Sequence, residues 1–309
     1  MRFNRLDLNL LVALDALLEE KKITRAATRL NVSQSAISGM LARLRVYFDD
    51  QLLVQVGRSM QLTPLGSALA DPVRQLLLQV ESTIALRHEF VPETVDRHFR
   101  IAASDYTASI MVAPLIRRLR QLAPGITIEL VALHEHPADI IRSGSADLLL
   151  IPRELASDEQ PYESLPADSY TCLAWNQNSI VGKALDMATF LACGHVTTSF
   201  GVARQPSMDE RFFRQHGIER KLRVIAHDFN SVPQIVAGTD LLATMPTRLA
   251  TLAAERYPIR LFAPPMKLPP LQHCMQWHRH HTDEPCHRWI RKVMLDVAGA
   301  KTLTPAPAI

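Results

Sequence analysis

The chain has 309 residues, 47% hydrophobic and 21% charged, an ordinary globular composition with material for two or three domains. A net charge of +3 excludes reading a nucleic-acid partner from the totals alone. The four cysteines, Cys172, Cys193, Cys274 and Cys286, form no CxxC pair, so a disulfide framework is not expected and a reducing compartment is.

The opening MRFNRLDLNLLVALDALLEE is broken by Asp7, Asn9 and Asp15, with no small-residue cleavage site, so no signal peptide is expected. No apolar stretch has the length of a membrane span, and a cytoplasmic protein without membrane contact is expected. Leu10, Leu11, Leu14, Leu17 and Leu18 share one face of a helix that should end near Glu20. Ile23, Ala26, Ala27 and Leu30 repeat the helical spacing over about two turns. Thr24 is the expected N-cap of this second helix, and Asn31, which tolerates a left-handed backbone, its stop.

LNVSQSAIS, Leu30 to Ser38, then holds three serines between two helical segments. Ser33 suits the N-cap of a third helix with Ile37, Met40, Leu41, Leu44 and Phe48 as its buried stripe. Ser35, Ser38, Gly39 and Ala42 face away from that stripe, flanked by Gln34 and Arg45 on one side and Arg43 on the other. This face is small, polar and free of acid. It can enter a major groove closely, where Ser and Gln side chains bond to base edges or phosphates. Two short helices with a tight turn between them form a helix-turn-helix, whose second helix reads DNA.

From Lys22 to Arg58 six basic residues face two acidic ones, a local excess of +4 that exceeds the charge of the whole chain. Phosphate binding needs such a local excess. QLLVQVGRSMQLTP reads as a hairpin: Leu52 to Val56, a turn at Gly57-Arg58-Ser59, then Met60 to Leu62. A hairpin after the recognition helix makes a wing whose Arg58 can reach a minor groove. A small helical bundle with a hairpin and no DNA role is the plain alternative.

The segment from LDLNLLVALDAL through ITRAATRLNVSQSAIS and LRVYFDDQLLV to TPLG resembles the DNA-binding domain of LysR-type transcriptional regulators. LDLNLLVALDAL and YFDDQLL are most similar to the nodulation-regulator branch, which includes sensors of small aromatic compounds. The resemblance implies DNA contacts from Ser33, Gln34, Ser35 and Ser38 on the recognition helix and from Arg58 on the wing; Arg43 completes the candidate set.

Thr63-Pro64 reads as an N-cap with proline at the first helical position. Leu65, Leu69, Leu76, Val80 and Ile84 continue at helical spacing to about Leu86, with Asp71-Pro72 interrupting as an expected kink. Apolar on more than one face, this helix can pack on the reading domain and also on a partner chain. Arg87 to Asp96 reads as a hinge.

In the remainder, Gly144-Ser-Ala-Asp147-Leu-Leu-Leu-Ile-Pro152 is echoed by Gly238-Thr-Asp240-Leu-Leu-Ala-Thr-Met-Pro246. Each reads as a helix, a glycine stop, an aspartate and a buried strand, which suits a parallel sheet covered by helices. Further strands are expected at Phe99 to Ser104 and Ile126 to Leu133. Others are expected at Tyr170 to Trp175, His195 to Thr198, Leu222 to His227, Leu241 to Met245 and Leu271 to Trp277. Helices are expected at about Ser109 to Leu122, with Pro114 inside, at Pro137 to Ser143, and at about Glu284 to Ala298. LPADSY and FAPPMKLPP bracket the second set of strands as two crossover hinges. Two lobes joined by a double crossover resemble the effector-binding domain of the same family, itself similar to periplasmic binding proteins.

Ligands of open α/β folds bind beyond the carboxyl ends of strands, which here is the cleft between lobes. The candidate effector residues are Ser104, Asp105, Tyr106 and Thr107, then Thr198, Ser199 and Phe200, then Phe229, Asn230 and Ser231. Each could instead be a satisfied cap or a packing aromatic. The histidines and cysteines from His273 to His287 invite a metal, but adjacent His273 and Cys274 point to opposite faces of a strand and HRHHTDEPCHRW lacks paired zinc spacing. A polar strand-to-helix loop is expected there. No GxSxG elbow and no phosphate-cradling glycine loop is found, so no catalytic residue and no cofactor is expected.

The expected architecture is α/β and multi-domain. Residues 1–62 form a winged helix-turn-helix and 63–90 a long linker or dimerisation helix. Residues 91–309 form a two-lobe α/β, periplasmic-binding-protein-like domain, with lobe 1 about 91–166 and 271–300 and lobe 2 about 167–270. The expected function is a transcriptional regulator that reads an interrupted palindrome in double-stranded DNA under control of a small-molecule effector. Aromatic effectors are expected from the branch resemblance and from Tyr106, Phe200 and Phe229. The family implies a homodimer or homotetramer, a dimer of dimers, with RNA polymerase as a further candidate partner. The rival is a small-molecule-binding module without DNA function; an enzyme stands further off.

Overall fold

The computed structural model describes residues 2–3, 6–57, 59–85, 90–133, 136–201 and 203–299. The chain forms two compact units, Met1–His88 and Glu89–Ile309.

In the first unit, strands β1 (Arg2–Phe3) and β2 (Leu6–Asp7) pair antiparallel ahead of helices α1 (Asn9–Glu20), α2 (Ile23–Arg29) and α3 (Gln34–Phe48). Leu14, Leu17, Ala26, Ile37, Leu41 and Leu44 are buried together, as the helical spacing requires. Each large side chain removed from water contributes about 1.5–3 kcal/mol. The start of α2 differs from expectation. Lys22 is the last extended residue, and Thr24 lies inside the helix, its carbonyl accepting the Thr28 hydroxyl at 3.0 Å. Asn31 has φ +56° and ends the segment as expected. Ser33 caps α3 by accepting the Ala36 N–H at 3.1 Å.

Strands β3 (Leu53–Val56) and β4 (Ser59–Leu62) form the hairpin. Val56 pairs with Ser59, so Ser59 belongs to the strand and not to the turn as expected. Thr63 Oγ1 accepts the Gly66 N–H at 3.0 Å, capping α4 (Pro64–Ala85). Gly66 has a steric reason, because a Cβ there would collide with the Leu52 carbonyl. Pro72 lies within α4, and the expected interruption does not break the helix. Val73 is buried, and Leu65, Leu69 and Leu77 pack on the core around it; Leu76, Val80 and Ile84, four residues apart, are exposed. Of the expected hinge from Arg87 to Asp96, residues 87–89 lie outside the described residues.

The second unit holds two sheets. The first has the order β6-β5-β7-β15-β8, built from β5 (Arg97–Ala103), β6 (Ile126–Ala132), β7 (Leu148–Pro152), β8 (Tyr162–Ser164) and β15 (His273–Gln276). The second joins β11 (Gln205–Pro206), β10 (Gly194–Phe200), β13 (Leu242–Pro246), β9 (Tyr170–Trp175) and β14 (Ile259–Phe262) in that order, with β12 (Lys221–Ala226) also on β10. The repeated segments supply matching strands. β7 runs parallel to β5, and β13 parallel to β10. Gly144 and Gly238 both have positive φ, +64° and +85°, as helix-ending glycines do. Neither sheet is purely parallel: β15 and β9, which follow the crossovers, run antiparallel to β7 and β13.

The helices of this unit are α5 (Asp105–Thr107), α6 (Ala113–Leu122), α7 (Pro137–Arg142), α8 (Met187–Ala192), α9 (Met208–Gln215), α10 (Val232–Val236), α11 (Thr247–Ala254) and α12 (Pro285–Gly299). Helical backbone begins at Asp105, four residues before the expected start, because Ser104 caps it by accepting the Thr107 N–H at 3.2 Å. Between α5 and α6, residues 108–112 form a π turn, with the Ala113 N–H reaching the Ala108 carbonyl. Pro114 has no N–H to close the next α turn, which favours this widening. The two crossovers meet in a bridge. The Asp168 N–H donates to the Leu271 carbonyl at 3.0 Å, and the Leu271 N–H to the Asp168 carbonyl at 2.8 Å.

Candidate functional site

Gln34, Ser35, Ser38, Gly39 and Ala42 are exposed along α3, while Ile37, Leu41 and Leu44 are buried behind them. No acidic residue lies in the first turn. Ser33 Oγ lies 2.9 Å from Ser35 Oγ in addition to capping the helix, so it fixes where the helix begins. A Cβ added at Gly39 would meet none of the described residues within 4 Å, so none of them demands glycine there. Arg43 is half-exposed and pairs with Asp7 at 3.2 Å. Arg45, expected beside the open face, turns instead to the Gln51 and Leu53 carbonyls at 2.9 and 2.8 Å and anchors the hairpin. Arg58 lies outside the described residues.

In the second unit the structure brings several candidates from the two lobes together. Asp105 Oδ2 accepts the backbone N–H groups of Phe229 and Asn230 at 2.7 and 2.8 Å. Burial pushes the Asp105 carboxyl up, while those two N–H groups pull it down. Asn230 Nδ2 donates to Ser109 Oγ at 3.1 Å. The Tyr106 and Phe229 rings meet edge-on at 6.1 Å, and Phe200 lies 5.4 Å from Phe229. Tyr106 is buried and donates to Asp168 Oδ2 at 2.8 Å; burial, with Asp168 beside it, drives its phenol far above the usual range.

Other candidates have local duties. Ser104 is the cap, and Thr107 is wholly buried with its hydroxyl 3.2 Å from the Ser104 carbonyl. The Thr198 carbonyl accepts the Ser207 N–H, Ser199 stands opposite Pro206, and the Ser231 N–H donates to Asp228 Oδ1 at 2.7 Å. Sequence reasoning missed Asp168, Ser109 and His273, whose ring lies 5.3 Å from Tyr106. Asp168 lies within the LPADSY hinge, and that segment was the signal available.

The histidine-rich stretch joins β15 to α12, as expected, but most of its histidines do not face solvent. His273, His278, His281 and His287 are buried. His287 Nε2 donates to the Asp147 carbonyl at 3.0 Å and Nδ1 accepts from Arg291 at 2.7 Å, which fixes the ring as neutral. His281 stacks on it at 5.3 Å and contacts Glu284 at 3.0 Å.

Comparison with known proteins agrees with this layout. A family model described as "Bacterial regulatory helix-turn-helix protein, lysR family" matches residues 8–67, and "LysR substrate binding domain" matches 92–299. Nodulation protein D of Bradyrhizobium sp. (strain ANU 289) is 37% identical over 299 residues, 97% of this chain and 88% of that protein. A probable transcriptional regulator from Pseudomonas aeruginosa, PA0477, superposes with TM-score 0.68 at 30% identity, covering 94% of this chain and 96% of the other. Full-length CbnR, solved with its target DNA, shares the fold at TM-score 0.52 and 17% identity, over 95% of this chain and all of that one.

Proposed function

The chain belongs to the LysR family of transcriptional regulators, and from that premise we propose that α3 reads one half of an interrupted palindrome while a small aromatic effector held between the lobes changes how two copies present it. The observation that carries the DNA reading is the exposed, acid-free face of Gln34, Ser35, Ser38 and Gly39 on a helix whose opposite side is buried. A mid-helix glycine costs about 1 kcal/mol relative to alanine, and none of the described residues gives Gly39 a steric reason. Close approach of DNA supplies one. Gln34, Ser35 and Ser38 offer donors and acceptors to base edges, Ser33 sets the helix start, Arg43 serves phosphates, and Arg58 on the wing reaches a minor groove.

Residues 1–62 act as the reading domain, 63–90 as the pairing helix and 91–309 as the sensor. Leu76, Val80 and Ile84 form the apolar stripe on which two copies join, as a dimer or a dimer of dimers. In the sensor, Tyr106, Phe200 and Phe229 give an aromatic wall, and Asp105 and Asn230 tie the lobes on either side of it. Ser104, Thr107, Thr198, Ser199 and Ser231 border that wall; their internal bonds make them a frame more than a set of free contacts. A ligand acts only if it favours one arrangement of the lobes over another. Among the described residues no helix is long and apolar enough to cross a membrane, and a DNA-reading role places the protein in the cytoplasm, within reach of RNA polymerase.

Titrating the full chain against labelled DNA from its own promoter region at two salt concentrations tests the reading. Selective binding that weakens with salt is expected, and Ser38→Glu should abolish it with the helix content intact. Binding untouched by Ser38→Glu would favour a small-molecule-binding module without DNA function.

A further inference from the structure

Four charged side chains tie together three helices of the first unit. Asp15 and Glu19 stand one turn apart on α1. From α2, Arg29 places Nη1 2.5 Å from Glu19 Oε2 and Nη2 3.4 Å from Asp15 Oδ2. From α4, Arg74 places Nε 2.6 Å from Asp15 Oδ1 and its Nη2 on Glu19 Oε2. Each carboxylate is thus shared by both guanidinium groups. Asp15 is 8% exposed and the Arg74 side chain 14%, so the network is more sheltered than a solvated surface pair. Burial raises the Asp15 carboxyl. In Glu19 burial also raises it, but hydrogen bonds from Arg29 and Arg74 prevail and hold it low.

The positions of the two arginines give the network a direction. Arg29 is the last residue of α2, two before Asn31, whose left-handed backbone starts the turn into α3. Arg74 lies where α4 leaves the domain. Val73 is buried and Leu77 still packs on the core, whereas Leu76, Val80 and Ile84 are exposed. Apolar packing is non-directional and lets a helix pivot, whereas forked charge-assisted hydrogen bonds set an angle. At 1.5 Å per residue the free segment is a lever of about 15 Å, so a pivot of about 10° moves its end by about 3 Å, close to the rise of one base pair.

We propose that Arg74 is a positioning residue that sets the spacing of the two DNA half-sites. It clamps α4 to Asp15 and Glu19 and, through Glu19, to Arg29. The clamp fixes the direction in which the pairing helix leaves the reading domain, and with it the separation of the two recognition helices in a dimer. The inference rests on Leu76, Val80 and Ile84 being the pairing face.

The test uses the full chain and duplexes carrying two half-sites from its promoter at the natural spacing and at one or two base pairs more or less. A duplex with a single half-site is the control. Wild type should prefer its natural spacing by about tenfold or more. Arg74→Met should reduce that preference to within about threefold while leaving the single-half-site affinity unchanged, and Arg74→Lys should restore part of it. Glu19→Gln removes the shared charge from a half-exposed site and should give the same loss, so the inference is tested even if Arg74→Met does not fold. A wild-type spacing preference retained in a folded Arg74→Met, or in Glu19→Gln, overturns it. No preference in the wild type would instead sink the paired-helix reading.

Discussion

The Tyr106 hydroxyl donates to Asp168 Oδ2 at 2.8 Å, joining the first turn after β5 to the crossover that enters the second lobe. The same oxygen accepts the Arg248 N–H at 3.1 Å, and Oδ1 accepts the Ser169 N–H at 2.8 Å. Its neighbour Asp105 reaches the other way, to the Phe229 and Asn230 backbone. Two consecutive residues therefore govern both the contact between the lobes and their connection.

Tyr106→Phe should destabilise the sensor by about 1.5–3 kcal/mol, the usual range for a hydrogen bond to a charged group. Asp168 is buried and would lose one of its three donors. Thermal unfolding of the full chain measures this, and an unchanged midpoint would rule out a structural role for the bond.

Gly39→Ala should move stability and function in opposite directions. The added methyl meets open space, so the helix gains about 0.5–1 kcal/mol. Affinity for the promoter DNA should fall, because the methyl stands where the groove must approach. A variant that is more stable and binds as well as the parent would refute the close approach.

Gly66→Ala should destabilise the first unit by about 1–3 kcal/mol, the typical penalty for overpacking. The new Cβ would run into the Leu52 carbonyl, which is backbone and cannot rotate away. Comparing chemical unfolding of the parent and the variant decides it.

Acid should weaken the second unit well before ordinary carboxylates titrate. Burial pulls His273, His278 and His281 down to about 4 from 6.5, and His287 well below its usual value. Between those values the unfolded chain binds more protons than the folded one. The stability from keeping these rings neutral is therefore complete above 6.5 and is lost as pH falls toward 4. Each pKa unit corresponds to about 1.4 kcal/mol, so the urea midpoint should drop clearly between neutral pH and pH 5. His278→Gln should flatten the dependence; equal midpoints at both pH values would contradict it.

The sequence showed most where periodicity and end signals coincide. Asn31, Ser33 and Thr63 are read from local chemistry, and all three do what their side chains suggest. Thr24 failed because its own signal was good but Lys22 already stood in the extended conformation. The two-lobed layout was legible in outline through the duplicated Gly–Asp–strand–Pro segments. Its details were not. Which carboxylate meets which N–H depends on residues more than a hundred positions apart, as with Asp105 and Asn230. The histidines misled for the same reason: they look solvated in HRHHTDEPCHRW, yet His278, His281 and His287 are buried. Arg220 is similar. Nothing local in the sequence signals its burial, yet its side chain is 1% exposed, paired with Glu210 and set 4.1 Å over the Phe213 ring.

The bridge between Asp168 and Leu271 has a mechanical consequence. Two separate strands between lobes would permit twisting, shear and bending alike. Joined by reciprocal hydrogen bonds at 3.0 and 2.8 Å, they act as a flat ribbon. A ribbon resists sliding of its edges and bending within its plane, and flexes easily only across its thin direction. In the proposed sensor, this favours hinge bending over sliding as the displacement that a bound effector would control.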